Sequence, residues 1–256
     1  MRDTVLLEEM SWPDVQRAVE SGVRTVIIMT ASIEQHGPHL PTMTDTAIGH
    51  AVGERLARRL GKTLLAPVIR PGCSDHHLAF PGSLSIPTEI FIETVRAYVQ
   101  SLASHGFNTF ILLSSHGGNF TALATAAQRL RDEWTPKGVR IIDHGGPEGL
   151  GEIMKTMVEA AAKLGAPQDV DAIHAEVTET SVMMLRHPAL VHGDRLAQGY
   201  LGRIDRQELF RQGLRAFTPN GILGDARRAS PQIGEAVLEH LTGYLAAFVQ
   251  QRLGQG

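Results

Sequence analysis

Apolar positions along the chain change their period in an ordered way. RTVIIMTA (24–31) is β-branched and almost wholly apolar, as a strand buried on both faces of a parallel sheet must be. KTLLAPVI (62–69), NTFILLSS (108–115) and VRIIDH (139–144) read the same way. Between them the period lengthens to that of amphipathic helices. Ala47, Ile48, Ala51, Val52 and Leu56 share one side of 44–61, which Gly61 ends, and Ile90, Val95, Val99 and Leu102 do so in 88–105. Residues 119–134 form a helix that Asn119 can cap, and Ser11 with Asp14 supplies a capping box for 12–21, stopped by Gly22. A last helix, about 231–253, carries Ile233, Val237, Leu241, Leu245 and Phe248 on one side. Strand and helix alternate at least three times. The expected fold class is therefore α/β, a mostly parallel sheet flanked by helices on both faces, in a single domain over 1–256. The stretches 70–87 and 186–230 read as long irregular regions, where function often sits.

Composition narrows the function classes. A net charge of -3 gives no electrostatic case for nucleic acid or an acidic membrane. The basic runs RLARRL (55–60) and Arg227-Arg228 are expected to be solvated helix faces. No segment reaches the roughly 20 apolar residues of a membrane helix, and MRDTVLLEEMSWPD lacks an apolar stretch of signal-peptide length. Cys73 is the single cysteine, so no intramolecular disulfide forms, which fits a reducing compartment. Cytoplasmic residence is the expectation.

Candidate chemistry gathers in IEQHGPHLPTMTD (33–45). Ligands of open α/β sheets bind beyond the carboxyl ends of the strands. Glu34 and His36 lie just past the first strand, His116 lies just past 108–115, and Asp45 begins a helix. Such a group is what a divalent cation requires. Glu34 and His36 are two apart and share a face if the segment is extended. Taken alone, Asp45 reads as a helix N-cap and His116 as structural, although Gly117 and Gly118 beside it permit close backbone approach to a ligand. A further cluster is HAEVTETS (174–181). His174 and Glu179 are five apart and do not share a face of one helix, so His174 is expected at or before the helix start and Glu179 inside it. By itself that segment reads as a capped surface helix with acidic residues near its N-terminus.

Five segments, SIEQHGPHLPTMTD (32–45), HHLAFPGSLS (76–85), SSHGGN (114–119), HAEVTETS (174–181) and GILGDARRASPQIGE (221–235), together resemble the creatininase family of metal-dependent amidohydrolases. The resemblance implies a creatininase-like α/β fold with two divalent metal ions, zinc and/or manganese, with iron also admitted by nitrogen and oxygen donors. It matches Glu34, His36, Asp45 and His116 to ligand positions, Asp45 bridging both ions. Creatininase itself places a Glu two residues after the histidine matching His116. Here that position is Gly118, and Glu179 looks like its replacement as ligand, with a part in catalysis. His174 matches a catalytic histidine. Ser74, His77 and Gly117 fall where the substrate would be contacted. Glu176, where the family usually has Gly, is a further candidate contact or ligand. Ser114 and Ser115 stand where Asn-Gly is usual, and Trp12 and Trp134 lie outside the matching segments, so creatinine itself is not the expected substrate.

The implied reaction is attack of a cation-activated water on a non-peptide amide, cyclic or formyl, with His174 passing a proton to the leaving nitrogen. Members of the family also open a cyclic keto-sugar or trim a peptide. The implied partners are a small-molecule substrate and other copies of the chain, a hexamer by resemblance. Asn119 is expected to cap its helix before it orients the site. His39, His144, His187 and His192 are expected in structural or surface roles, His39 being the nearest to the centre and able to act behind its ligands. Three rivals stand. A serine or cysteine hydrolase would use Ser115 with His116 or Cys73 with His76, but no G-x-S-x-G elbow is present. LGKT (60–63) resembles a P-loop tail whose first glycine is replaced by Leu56. The third is a metal-binding protein without turnover.

Overall fold

The computed structural model describes residues 4–168 and 173–254. Four strands, β1 (Thr25–Thr30), β2 (Thr63–Leu65), β3 (Thr109–Ser114) and β4 (Arg140–Asp143), form one sheet in the order β2-β1-β3-β4. All pairs are parallel, with Thr25 opposite both Thr63 and Thr109, and Thr109 opposite Arg140. The strand expected over 62–69 is shorter because Pro67 has no N–H for the ladder. After that break Ile69 rejoins as a single bridge to Thr30.

Helices cover both faces. They are α1 (Trp12–Glu20), α2 (Thr44–Leu60), α3 (Thr88–Ser104), α4 (Phe120–Trp134), α5 (Gly146–Ala162), α6 (Val177–Arg186), α7 (Arg206–Gln212) and α8 (Pro231–Leu253). The period-two alternation of β1 and β3 divides the core. Val26, Ile28, Phe110 and Leu112 meet Phe91, Val95 and Val99 of α3 and Leu123 and Leu130 of α4. Ile27, Met29, Ile111 and Leu113 meet α2, α5, α6 and α8 on the opposite face. Each of these fully buried side chains contributes about 1.5–3 kcal/mol relative to exposure.

The capping box at Ser11 forms as expected. Arg55 and Arg59 of the basic run are not merely solvated: one turn apart, they pair with Glu235 (2.7 Å) and Glu239 (2.6 Å), one turn apart on α8. Arg227 and Arg228 lie on a loop, not a helix, where Arg227 pairs with Asp225 at 2.7 Å and Arg228 donates to the Gly165 carbonyl. Two helices, α5 and α7, were absent from the sequence reading. Among the described residues no helix is long and apolar enough to cross a membrane.

Candidate metal centre

The parallel sheet sends the ends of β1 and β3 to the same edge, and the predicted residues converge there. Glu34 and His36 leave the end of β1, His116 follows β3, Asp45 lies in the first turn of α2, and Glu179 lies in the first turn of α6. Asp45 is not the N-cap, since Met43 holds that place. Glu34, Asp45 and His116 offer ligand atoms within 4.8 Å of one another, and so do His36, Asp45 and Glu179. Asp45 belongs to both groups. Its Oδ1 lies 3.1 Å from His36 Nε2 and its Oδ2 3.2 Å from His116 Nδ1. His116 Nδ1 is also 3.2 Å from Glu34 Oε1, and His36 Nε2 is 3.7 Å from Glu179 Oε2. His174 joins Glu34 and His36 in a third such group, its Nδ1 4.0 Å from Glu34 Oε1.

The outer nitrogens of these rings are held from behind. His36 Nδ1–H donates to the Glu34 carbonyl at 3.1 Å. His116 Nε2–H donates to the Cys73 carbonyl at 3.1 Å, with Ser74 Oγ at the same distance. His174 Nε2–H donates to the Gln35 carbonyl at 2.9 Å. At His36 and His116 these bonds favour the tautomer that leaves the inner nitrogen's lone pair facing the carboxylates, as a cation ligand requires.

Charge is the stronger argument. Three carboxylates share the site, Glu34 and Asp45 buried and Glu179 half-buried at the floor of a cleft. Burial works to lower the imidazoles, but the carboxylates of Asp45 and Glu179 raise His36 to about 10, and Glu34 and Asp45 raise His116 well above its ordinary value. Burial raises Glu179, whereas His116 and His77 outweigh it at Glu34 and hold that carboxyl well below the usual range. The cluster thus demands positive charge, and protons on ligating nitrogens are a poor source of it. Divalent cations supply the charge and use the lone pairs. Glu34 Oε2 and Asp45 Oδ2 are moreover buried without a hydrogen bond. The donor set is nitrogen and oxygen without thiolate, which suits zinc, manganese or iron.

Several expectations need correction. Glu176 does not face the centre. It is fully buried as the N-cap of α6, accepting from Thr178 N at 2.9 Å and from the Thr178 hydroxyl, and burial raises its carboxyl to about 7. The segment is therefore a capped helix, but a buried one. Ser74 is also fully buried and orients His116 instead of lining the cleft. His77 and Gly117 do line it. Asn119 does not cap α4 with its side chain; its Oδ1 accepts from Cys73 N (2.9 Å) and its Nδ2 donates to the Ala31 carbonyl (3.0 Å), tying two loops together. His39 donates to, or accepts from, Thr180 Oγ1 beside Glu179. His144 is buried against Tyr244, and His192 is exposed. Ser115 Oγ–H is committed to the Asp45 carbonyl at 2.8 Å, and burial pushes the Cys73 thiol up, so neither is a prepared nucleophile.

Other residues of the site were not foreseen. The Gln35 amide lies 3.2 Å from His77 Nδ1 and 2.9 Å from His174 Nε2, while its oxygen accepts from Gly37 N. His76 stands on the cleft wall, 4.6 Å from the Phe210 ring. Ala175, at φ 55, is in the left-handed region that disfavours side chains, and its N–H donates to Glu179 Oε2 at 2.6 Å. The strained turn lets His174 and Glu179 reach one centre from two sides of a helix start.

Gly118 has no room for a side chain. A Cβ there would sit well inside contact with the Cys73 carbonyl and His116 Nε2, and 2.9 Å from His76 Cε1. A Glu cannot be accommodated at this position without moving His116; the third carboxylate of the cluster, Glu179, stands on α6. Gly118→Ala is expected to lower stability by about 1–3 kcal/mol through overpacking and to reduce metal content. Gly117→Ala, whose Cβ meets nothing closer than Leu150 at 3.8 Å, should do neither. Thermal melting and metal analysis of the two variants make the comparison, and equal behaviour would refute the steric account.

The family profile of creatininase, creatinine amidohydrolase, matches residues 8–249. The chain is 32% identical over 227 residues to the mycofactocin precursor peptide peptidase of Mycobacterium ulcerans, covering 85% of this chain and 81% of that one. It is 27% identical over 244 residues to the 3-dehydro-scyllo-inosose hydrolase of Thermotoga maritima, covering 88% and 76%. A manganese creatininase structure superposes with a TM-score of 0.83 at 24% identity, covering 98% of this chain and 99% of that one. The Zn-Zn type of a creatininase mutant superposes equally well, at 0.83 and 23% identity, covering 98% of both chains.

Proposed function

The chain belongs to the creatininase family, and from that premise we propose that it is a metal-dependent amidohydrolase with two divalent ions. The observation that carries this reading is the pair of buried ligand groups sharing Asp45. Glu34, Asp45 and His116 would hold one ion, and His36, Asp45 and Glu179 the other. When bound, the ions supply a Lewis acid for the carbonyl and a water acidic enough to deprotonate near neutral pH. The chain does the rest. The Gln35 carbonyl holds His174 with Nδ1 facing inward. Burial, with the neighbouring His36, disfavours a charge on this ring, so it starts neutral. From there His174 takes a proton at Nδ1 and returns it to the leaving nitrogen. His77, its Nε2 3.3 Å from Glu34 Oε1, keeps that carboxylate in place.

The bond proposed is an amide C–N bond, cyclic or formyl in the first reading. A peptide bond is the second reading, favoured by the 32% identity to a peptide peptidase, and the same residues would serve it. Purified protein is expected to carry zinc or manganese at two equivalents per chain. Dialysis against a strong chelator should abolish hydrolysis across a panel of cyclic amides, formamides and short peptides, and added zinc or manganese should restore it. Turnover that survives removal of all metal would defeat the proposal.

A further inference from the structure

The wall of the cleft has a character that the centre does not explain. The cleft encloses about 840 Å³, counting space open to solvent. On one side α5 presents Leu150, Ile153, Met154 and Met157, a single helical stripe at i, i+3, i+4 and i+7. Such a stripe ordinarily packs into a core, but here Leu150 and Ile153 stay half-buried, facing the open cleft. Leu209, Phe210 and Leu214 face it from the other side, and Phe210 is 47% exposed. Among the described residues that line the cleft there is no Arg or Lys. An anionic group on a substrate would therefore meet no guanidinium or ammonium group on these walls.

Beside the cleft lies a second, mostly apolar cavity of about 460 Å³, counting space open to solvent, which shares Ser114, Ser115, Phe120, Ile153, Met157 and Glu179 with the first.

Resting on the hydrolase reading above, we infer that the substrate carries a bulky, uncharged hydrophobic group, aromatic or branched aliphatic, next to the scissile amide. The apolar stripe of α5 and the facing side chains of α7 take up that group while the amide lies on the centre. Small polar ring amides leave these walls wet, and substrates with a carboxylate in this position are disfavoured.

Hydroxamic acids test the inference without requiring turnover, because the hydroxamate anchors on the ions and its substituent probes the wall. The probes are acetohydroxamic, 4-methylpentanohydroxamic, 3-phenylpropanohydroxamic and succinic monohydroxamic acids, titrated calorimetrically into the zinc-loaded protein. The two apolar members are expected to bind roughly 10- to 100-fold more tightly than the acetyl member, as burial of their extra apolar surface implies. The succinic member should bind no better than the acetyl one. In Leu150→Ala/Phe210→Ala protein the apolar gain should shrink at least several-fold, while acetohydroxamic acid binds as before. Both positions are only partly buried, so the fold should tolerate the change, and circular dichroism verifies it. Equal binding by all four acids, or preference for the succinic member, overturns the apolar subsite and leaves the hydrolase reading standing. No binding by any acid, or no uptake of zinc, overturns that reading and the inference with it.

Discussion

Asp45→Asn should remove both ions at once and lower turnover by about three orders of magnitude, the several kcal/mol that cation activation supplies. Asp45 alone is shared by the two ligand groups in which both imidazoles of the centre take part, with one oxygen toward His36 and the other toward His116. Asparagine keeps the volume and one oxygen. Its NH2 group, however, would point at a nitrogen lone pair and repel a cation from that position. The fold should survive, because the backbone carbonyl of residue 45 still accepts from Ser115 Oγ and the surrounding α2 packing is unchanged. Metal analysis and a steady-state rate, measured beside a melting curve, distinguish loss of the centre from loss of the fold. Normal metal content with a rate within tenfold of the parent would remove Asp45 from the bridging role.

His174→Ala should act differently. Its ring touches the centre but lies outside the two groups that share Asp45, so the metal content should persist while kcat falls by roughly 10²- to 10⁴-fold, the span of a lost general acid–base. KM should move little, since the apolar walls proposed to take up the substrate are untouched. If the alanine variant instead loses one ion, the third grouping of Glu34, His36 and His174 is a true binding position and the proton-transfer role fails.

What the sequence revealed follows from which forces are local. Strands β1 and β3 were legible because uninterrupted β-branched runs have few alternatives, and they placed Glu34, His36 and His116 at one sheet edge. Helix α5 was overlooked although Leu150, Ile153, Met154 and Met157 have helical spacing. Gly149 and Gly151 within its first turns obscured the pattern, and half of its apolar face looks into a cleft rather than a core. The short α7 gave too few turns for its period to register within 186–230. The choice between Glu176 and Glu179 was undecidable from spacing. It turns on the left-handed conformation of Ala175, which an alanine does not advertise. Gln35 was passed over because it is neutral, yet its backbone and side chain orient two histidines. Asn119 shows the converse error: a residue with a strong local preference for capping was taken by tertiary hydrogen bonds instead.

The two walls of the cleft hang on α5 and α7, whereas every proposed cation ligand sits on α2, on α6 or on a segment leaving β1 or β3. On the proposals above, chemistry and selectivity would be carried by separate pieces of chain. If so, a library confined to the exposed turns of those two helices would change which substrates are accepted while leaving the proposed cation ligands untouched, a convenient starting point for tailoring hydrolases.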